Sequence, residues 1–291
     1  MLLENKRLLV TGVLTESSIA WRVARLAQEQ GAALVLTGYG RGLRLTERVA
    51  RRLPDPPDVL ELDVTREDHI AAVAKDLDAR WGRLDGVLHA AAFAPPHILG
   101  GGFLTAPWPA VAAALHVSAY SFVALGRGLG ALLAGAGGGS VVGLDFDGRV
   151  AWPAYDWMGV AKSALESCCR YLARDLGGQG TRVNLVAAGP LHTAAARAIP
   201  GAEAVSGPWP DRAPLGWDPA DAEPVARVVC ALLSDWLPAV TGEIVHADGG
   251  AHAMGSAPSP PSAAPPSPGG PPAPPALAPR SPGPAPRPPG R

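Results

Sequence analysis

Short apolar runs alternate along the chain with longer segments that carry polar residues at helical spacing. The apolar runs are rich in Leu and Val, as expected of strands that are buried on both faces of a sheet. The pattern predicts seven strands, at RLLVTG, ALVLTG, VLELDV, GVLHAAA, SVVGLDF, RVNLVAAG and EIVHADGG. It predicts helices over Ser18 to Gln30, Leu45 to Leu53, Asp68 to Trp81, Pro109 to Leu133, Tyr155 to Leu176 and Asp221 to Ser234. The alternation predicts an α/β fold with one doubly wound, parallel sheet.

The composition changes abruptly after Gly255. From there to Arg291 the chain consists almost entirely of Pro, Ala, Ser and Gly, with too few large apolar residues to offset the entropy lost on ordering. We therefore predict one folded domain over residues 1–254 and a disordered tail over residues 255–291. We interpret the tail as a solvated extension rather than as a docking ligand for a proline-binding module.

Charge and cysteine content exclude several classes of function. Lys and Arg number 25 and Asp and Glu number 26, so no strong field favours nucleic acid or an anionic membrane as a partner. The three cysteines are Cys168, Cys169 and Cys230, and their spacing is not that of metal ligands, so we predict no metal site. Their odd number argues against a disulfide framework and favours a reducing cytoplasm. The start of the chain lacks signal-peptide features, and the apolar stretch Val87 to Ala136 is interrupted too often to span a bilayer.

The first strand leads into a turn at which a dinucleotide would bind in many α/β proteins. Gly12 allows a tight turn, Ser17 or Ser18 can cap the next helix, and the free amides at the helix N-terminus can face a phosphate. The segment does not have the G-x-G-x-x-G pattern. Taken alone, it is as compatible with an ordinary strand, turn and helix as with a nucleotide site.

Residues after the second and third strands are candidates for contacts with adenosine. The second strand lacks the acidic residue that commonly holds the adenosine ribose; Tyr39 could lie against the adenine, whereas Arg41 or Arg44 could accept a 2′-phosphate. Asp63 follows the third strand, where its carboxylate could accept from the adenine amine or cap the next segment. Both NADH and NADPH remain open at this point.

Tyr155 and Lys162 are the candidates for catalysis. They are seven residues apart, about two helical turns, so their side chains project from nearly the same helix face. Their helix follows the fifth strand, whose carboxyl end opens on the cleft where nicotinamide lies in a Rossmann-type sheet. Lys162 can bind the nicotinamide ribose, and the phenol of Tyr155 can donate to a developing oxyanion.

Several segments in the same order resemble the enoyl-[acyl-carrier-protein] reductase family, especially its mycobacterial-type members. These segments are TESSIA, LELDV, SAYS, DFD, PAYDWMGVAKSALES, NLVAAGP, RAPLGW, CALLSDWLPA and ADGGAH. The resemblance extends over residues 3–254 and is strongest from Asp145 to Ser167. It implies a single Rossmann-type domain of the short-chain dehydrogenase/reductase superfamily that reduces the trans-2 double bond of enoyl thioesters with NADH in fatty acid synthesis.

The resemblance also implies roles for individual residues. Tyr155 stabilises an enolate, Lys162 holds the cofactor, and Phe146 lies beside the nicotinamide, although Phe146 could also be plain core. Met158 and Phe93 touch the acyl chain, unless they only pack in the interior. The residues implied to line the cofactor are Gly12, Ser18, Ile19, Tyr39, Asp63, Val64, Ala91, Ala92, Lys162, Leu191 and Thr193.

The spacing of Tyr155 and Lys162 favours enoyl reduction over ketone reduction. The alcohol dehydrogenases that resemble this family in fold use Y-x3-K. In ketone reduction the hydride reaches the carbonyl carbon, whereas in enoyl reduction it reaches the β-carbon and leaves the thioester oxygen farther from the nicotinamide. A tyrosine one helical turn earlier can reach that oxygen. The serine that ketone reductases carry before their tyrosine is replaced here by Val142.

Three segments depart from the family pattern. The substrate-binding segment from Arg197 to Pro214 is several residues shorter, which leaves chain-length preference open. Ala91 and Ala92 stand where a bulkier residue and a glycine are expected, and residues 40–42 differ beside the adenosine pocket. Two alternative functions therefore remain: a catalytically weak paralogue that binds a nucleotide, and a reductase of a secondary-metabolite enone.

The resemblance implies two partners. The substrate is carried by acyl-carrier protein, and the family usually forms homotetramers through helices such as Tyr155 to Leu176. The adjacent Cys168 and Cys169 on that helix are interpreted as packing residues rather than reactive thiols.

Overall fold

Seven parallel β-strands form one sheet at the centre of the chain, which a computed structural model describes over residues 1–255. The strands are β1 Arg7–Val10, β2 Ala33–Gly38, β3 Asp58–Glu61, β4 Gly86–His89, β5 Ser140–Asp145, β6 Arg182–Ala188 and β7 Ile244–Ala247. Their order is β3-β2-β1-β4-β5-β6-β7. The strand order therefore reverses between β1 and β4, and in such sheets ligands bind at the carboxyl ends of the strands beside this point. The predicted tail lies outside the described residues, apart from Gly255.

Helices cover both faces of the sheet. They are α1 Ile19–Glu29, α2 Arg41–Ala50, α3 Glu67–Trp81, α4 Trp108–Leu115, α5 Ser121–Gly135, α6 Asp156–Gly177, α7 Ala194–Arg197, α8 Glu203–Ser206, α9 Trp209–Arg212 and α10 Glu223–Leu233. On one face α1 and α10 pack against each other, and on the other face α3, α5 and α6 pack together. This arrangement confirms the predicted doubly wound α/β fold.

The first strand shows why the apolar runs are nearly continuous. Leu8 and Val10 lie in the core beneath α1 and α10, whereas Leu9 lies in the core beneath α3, α5 and α6. All three residues are completely buried. Because successive side chains of a strand point to opposite faces, a strand covered on both sides needs apolar residues at every position.

Several predicted boundaries differ from the structure; β4 and β7, for example, each end three residues before the predicted end. Helix α2 begins at Arg41 rather than near Leu45, because Gly40 adopts a φ of 54° and the carbonyl of Tyr39 accepts from the amides of the first turn. Strand β3 ends at Glu61, before the predicted end at residue 64. The chain turns at this point.

The predicted helix from Pro109 to Leu133 is longer in the structure and has a distortion. It runs continuously over Trp108–Gly135, and a π-type turn at His116–Tyr120 separates α4 from α5. By length and composition this helix could cross a membrane, yet 56% of its most apolar window is buried within the protein. It packs against α3 and α6, as a core helix does.

Candidate active site

The loops after β1 and β4 touch each other at the point where the strand order reverses. The side-chain oxygen of Thr11 accepts from the amide of Ala90 at 2.9 Å. Gly12 has a φ of 77°, and a Cβ atom there would collide with the Ala90 carbonyl. Only glycine therefore fits this position without strain, and its lack of a side chain leaves the loop backbone open to a ligand.

Ser18 lies at the N-cap of α1, but its hydroxyl does not cap that helix. It accepts instead from the amides of Leu14 and Thr15, at 3.3 and 3.0 Å, and so holds the preceding loop. Of the two serines that the sequence offered as caps, Ser17 and Ser18, Ser18 occupies the N-cap position, and the helix has no side-chain cap. The amides of Ile19 and Ala20 donate no hydrogen bond to any residue in 1–255, and such free helix amides suit a phosphate group.

The residues predicted for the adenosine end lie at the ends of β2 and β3. Tyr39 is 52% exposed, and its ring lies edge-on to His69 with a centroid distance of 6.2 Å. One carboxylate oxygen of Asp63 accepts from the amide and the hydroxyl of Thr65, at 3.0 and 2.7 Å. Asp63 thus caps the segment that follows β3, which was one of the two roles that the sequence suggested for it. Val64 packs against the core beneath α3.

Tyr155 and Lys162 both lie near Asp145, at the carboxyl end of β5. Tyr155 is the N-cap residue of α6, one position before the helix begins, and Lys162 is buried on the same helix. The Lys162 ammonium donates to the carbonyl of Leu144 at 2.8 Å. It also lies 4.0 Å from Oδ1 of Asp145, the last residue of β5.

Phe146 connects Tyr155 to two tryptophans that sequence reasoning did not single out. Its ring centroid lies 5.1 Å from Tyr155, 5.2 Å from Trp152 and 5.7 Å from Trp209. The indole of Trp209 donates to the carbonyl of Asp248 at 3.0 Å, which fixes α9 against the chain after β7. These aromatic rings therefore form one wall beside Tyr155.

A second, apolar cluster also packs against Tyr155. It contains Leu99, Met158 and Ala161, with Ile199 from the segment after α7 packed against it. The structure thus brings Met158, one of the two residues predicted to contact an acyl chain, close to Tyr155. Phe93 is 50% exposed, and its neighbour Ala94 packs against this cluster.

The remaining predicted residues lie after β4 and β6. Ala91 is half-buried and Ala92 is exposed, immediately after the end of β4. Leu191 is buried in the core beneath α1. The hydroxyl of Thr193 accepts from the amide of Ala196 at 3.1 Å and caps α7.

A comparison with protein families agrees with this geometry. The family model described as "Enoyl-(Acyl carrier protein) reductase" matches residues 12–252. The chain belongs to this family. The match covers six of the seven strands, from β2 to β7, and confirms the resemblance that the motifs indicated.

Individual members of the enoyl reductase family are closely similar to the chain. It is 49% identical over 264 residues to the enoyl-[acyl-carrier-protein] reductase [NADH] of Mycolicibacterium smegmatis, with 86% of this chain and 97% of that protein covered. The enzyme of the same name from Mycobacterium avium is 48% identical over 263 residues, with 86% and 97% covered. The corresponding Aquifex aeolicus enzyme is 37% identical over 254 residues, with 87% and 94% covered.

Burial sets the protonation states around Tyr155. The loss of solvent, together with the nearby Asp145 carboxylate, raises the pKa of Tyr155 well above its usual value, so its phenol stays protonated. Burial raises the pKa of Asp145 to about 7, against the opposing effect of Lys162. Burial lowers the pKa of Lys162, and Asp145 opposes that shift. The site therefore holds a hydrogen-bond donor beside a buried acid and base pair.

The described residues suit a dinucleotide such as NADH. A glycine turn without room for a side chain, two free helix amides and a lysine with unused N–H groups lie along the carboxyl edge of β1, β4 and β5. Within residues 1–255, no group of three or more His, Cys, Asp or Glu residues could hold a metal ion. The donor set is that of an organic anion site.

Sequence reasoning missed Asp145, Trp152, Trp209 and Ser118. A carboxylate at the end of an otherwise apolar strand was the available signal for Asp145. Ser118 lies in the π-type turn, and its hydroxyl bonds both to the amide and to the carbonyl of Phe93, each at 3.0 Å. Its role depends on a helix distortion that no local pattern reveals.

Proposed function

We propose that the chain reduces the trans-2 double bond of enoyl thioesters, carried by acyl-carrier protein or coenzyme A, with hydride from NADH in fatty acid synthesis. The observation that carries this proposal is that Lys162 donates to Leu144 near the carboxyl end of β5, while Tyr155 packs against Phe146, the residue directly after that strand. Membership of the reductase family and the similarity to NADH-dependent members support the reaction and the choice of NADH over NADPH.

Tyr155 acts in this scheme as an oxyanion donor. When hydride reaches the β-carbon, negative charge develops on the thioester oxygen, and a protonated phenol can stabilise it as an enolate. Burial keeps Tyr155 protonated, so the donor is present throughout the neutral pH range. The enolate is then protonated at the α-carbon, and Tyr155 need not supply that proton.

Lys162 holds the cofactor through its ammonium group. One of its three N–H bonds is directed to the Leu144 carbonyl, which leaves two for the hydroxyls of the nicotinamide ribose. NADH, when bound, supplies the hydride. Phe146, flanked by Tyr155 and the two tryptophans, keeps water away from the reacting atoms and lies beside the nicotinamide.

The remaining contacts in this proposal are those that the family resemblance implies. The turn at Gly12 and the start of α1 at Ser18 and Ile19 would receive the pyrophosphate, and Tyr39 and Asp63 with Val64 would flank the adenine. Residues further along the sheet edge that would line the nicotinamide half are Ala91, Ala92, Leu191 and Thr193. Met158 and Phe93 would contact the acyl chain.

We extend the proposal to the whole protein. Residues 1–254 would form the catalytic domain, the protein would act in the cytoplasm, and it would form a homotetramer. Tyr171 and Val160 are exposed apolar residues on α6, the helix through which the family is expected to associate, and they support that assembly.

The direct test is NADH oxidation with trans-2-enoyl-CoA substrates of short and long chain, run beside NADPH. We expect turnover with NADH, and replacement of Tyr155 by Phe should lower kcat by about a hundredfold because the oxyanion loses its donor. NADH affinity should not change, since Tyr155 does not hold the cofactor. Tyr120→Phe, at an exposed tyrosine in the π-type turn of His116–Tyr120, is the matched control and should keep full activity.

Two outcomes would contradict this function. Binding of NADH without turnover of any enoyl thioester would favour the catalytically weak paralogue. Turnover of a simple enone but not of a thioester would favour the secondary-metabolite reductase.

A further inference from the structure

Asp145 is the most deeply buried charged side chain near Lys162. Its side chain is fully excluded from solvent, and neither carboxylate oxygen makes a hydrogen bond of normal geometry with any residue in 1–255. The amide of Phe146 lies close enough to lower the pKa of this carboxyl slightly, without bonding to it in normal geometry. A buried carboxylate without partners is costly unless a nearby charge compensates it.

Lys162 supplies the compensating charge. Its Nζ lies 4.0 Å from Oδ1 of Asp145, and its own side chain is only 7% exposed. The one hydrogen bond that Nζ makes within residues 1–255 goes to the neutral carbonyl of Leu144. Lys162 is therefore a buried ammonium whose stabilisation by an opposite charge comes from Asp145.

The other ionisable groups around the pair do not replace Asp145. On β4, His89 faces Lys162 and is neutral, because burial and the lysine charge lower its pKa to about 3. Glu166 on α6 and Asp147 after β5 raise the pKa of Asp145 and so act as like charges. Tyr155, at the start of α6, stays protonated.

We propose that Asp145 is a positioning residue that keeps Lys162 in its charged form at the cofactor edge of β5. Asp145 does not itself touch the substrate or the cofactor in this account; it acts through Lys162. The part of the proposal that concerns NADH binding rests on the proposed function, in which Lys162 binds NADH. The charge state of Lys162 can be tested without any cofactor.

The chain offers a favourable system for that test, because its only lysines are Lys6, Lys75 and Lys162. We would label lysine with carbon-13 at the ε position and follow the three NMR signals with pH in the wild type and in Asp145→Asn. The variant should lower the pKa of Lys162, because the buried ammonium loses its neighbouring charge. Lys6 and Lys75 serve as internal controls and should titrate alike in both proteins. An unchanged or raised pKa of Lys162 would overturn the proposal.

NADH affinity gives a second readout. As pH rises, Lys162 should lose its charge at a lower pH in the Asp145→Asn variant than in the wild type. The NADH dissociation constant of the variant should therefore be about tenfold higher than that of the wild type at alkaline pH. At acidic pH the two dissociation constants should approach each other. ADP lacks the nicotinamide ribose and should bind both proteins equally. A loss of NADH affinity that is the same at every pH would indicate a merely structural effect and contradict the proposal.

The variant Lys162→Met distinguishes the role of Asp145 from the role of Lys162 in binding NADH. In that background Asp145→Asn should not change NADH affinity further, because Asp145 acts through the lysine. If Lys162→Met itself binds NADH like the wild type, the cofactor role given to Lys162 under the proposed function fails, and the NMR result still decides the role of Asp145. If Asp145→Asn does not fold, the wild type can be tested alone, with aspartate also labelled with carbon-13 at its carboxyl carbon. The NMR signal of Lys162 should then shift at the pH where the carboxyl of Asp145 titrates, near 7. A Lys162 signal that ignores this titration would overturn the proposal.

Discussion

At the carboxyl edge of the sheet, the size or the charge of individual side chains is closely constrained by their surroundings. Gly12 adopts a φ of 77° directly against the Ala90 carbonyl, and Asp145 and Lys162 place opposite charges in a site with little water. The sequence could indicate Gly12 from its place after a strand, and Tyr155 and Lys162 from their spacing. It could not indicate the orphaned state of the Asp145 carboxylate, because that depends on which groups the fold brings near it.

Replacement of Gly12 by alanine should destabilise the protein and weaken NADH binding. The positive φ and the collision with Ala90 together should cost about 1–3 kcal/mol of the free energy of unfolding. Urea unfolding and NADH titration measure the two effects. Gly177→Ala is the control, since Gly177 ends α6 with open space around it and should accept a methyl group without loss. Equal stability of the two variants would contradict this account of Gly12.

Among the secondary-structure elements, the helix over Trp108–Gly135 departs most from what periodicity predicts. The pattern gave a continuous helix, whereas the structure contains a π-type turn at His116–Tyr120. Ser118 in that turn bonds to both backbone groups of Phe93 and so fixes the loop after β4. Helical spacing predicts which face is buried but not a local insertion of this kind, since the insertion serves a contact far along the chain.

Ser118→Ala should loosen the loop after β4. The change leaves the amide and the carbonyl of Phe93 without their partner, which should cost about 1–3 kcal/mol of unfolding free energy. Hydrogen exchange of the Phe93 amide should accelerate as well. Ser17→Ala, at an exposed position, should change stability by less than about 0.5 kcal/mol. Unchanged exchange at Phe93 in Ser118→Ala would show that the hydroxyl does not hold this loop.

Over the whole molecule, the order and direction of the elements could be predicted more completely than their ends. Continuous apolar runs separated by helical segments allow only a parallel sheet with both faces covered, and the structure has that sheet. The start of α2 depends on the positive φ of Gly40 and on the carbonyl of Tyr39. The start of α6 and the end of β3 depend on hydrogen bonds of Tyr155 and Asp63, which propensity does not determine. The aromatic wall that Trp152 and Trp209 form with Phe146 beside Tyr155 depends on tertiary contacts between distant segments.

His89 should lower the free energy of unfolding as the pH drops from about 6.5 towards 3, whereas Asp145, with its raised pKa, contributes in the opposite direction over much of this range. His89 is completely buried and its pKa is lowered from 6.5 to about 3 by burial and by Lys162. Between these values the unfolded chain binds a proton that the folded chain does not, so the free energy of unfolding decreases with falling pH by at most about 1.4 kcal/mol per unit from this residue.

The variant His89→Gln isolates this contribution. Urea unfolding of both proteins across this range should give a shallower dependence on pH for the variant. At pH 8 His89 is neutral in both the folded and the unfolded state, so any difference there reflects lost contacts, such as the 2.7 Å hydrogen bond to Ser121, and can be subtracted. An identical slope in the two proteins would contradict the buried, neutral state of His89.

The position to which hydride is delivered tests the central claim most directly. We would supply NADH carrying deuterium at the transferred C4 position together with a trans-2-enoyl-CoA, and locate the label in the product by mass spectrometry and NMR. The account predicts a saturated thioester with deuterium on the β-carbon, because Tyr155 stabilises the charge that then develops on the thioester oxygen. Deuterium on a former carbonyl carbon, or no label in any acyl product despite bound NADH, would contradict it.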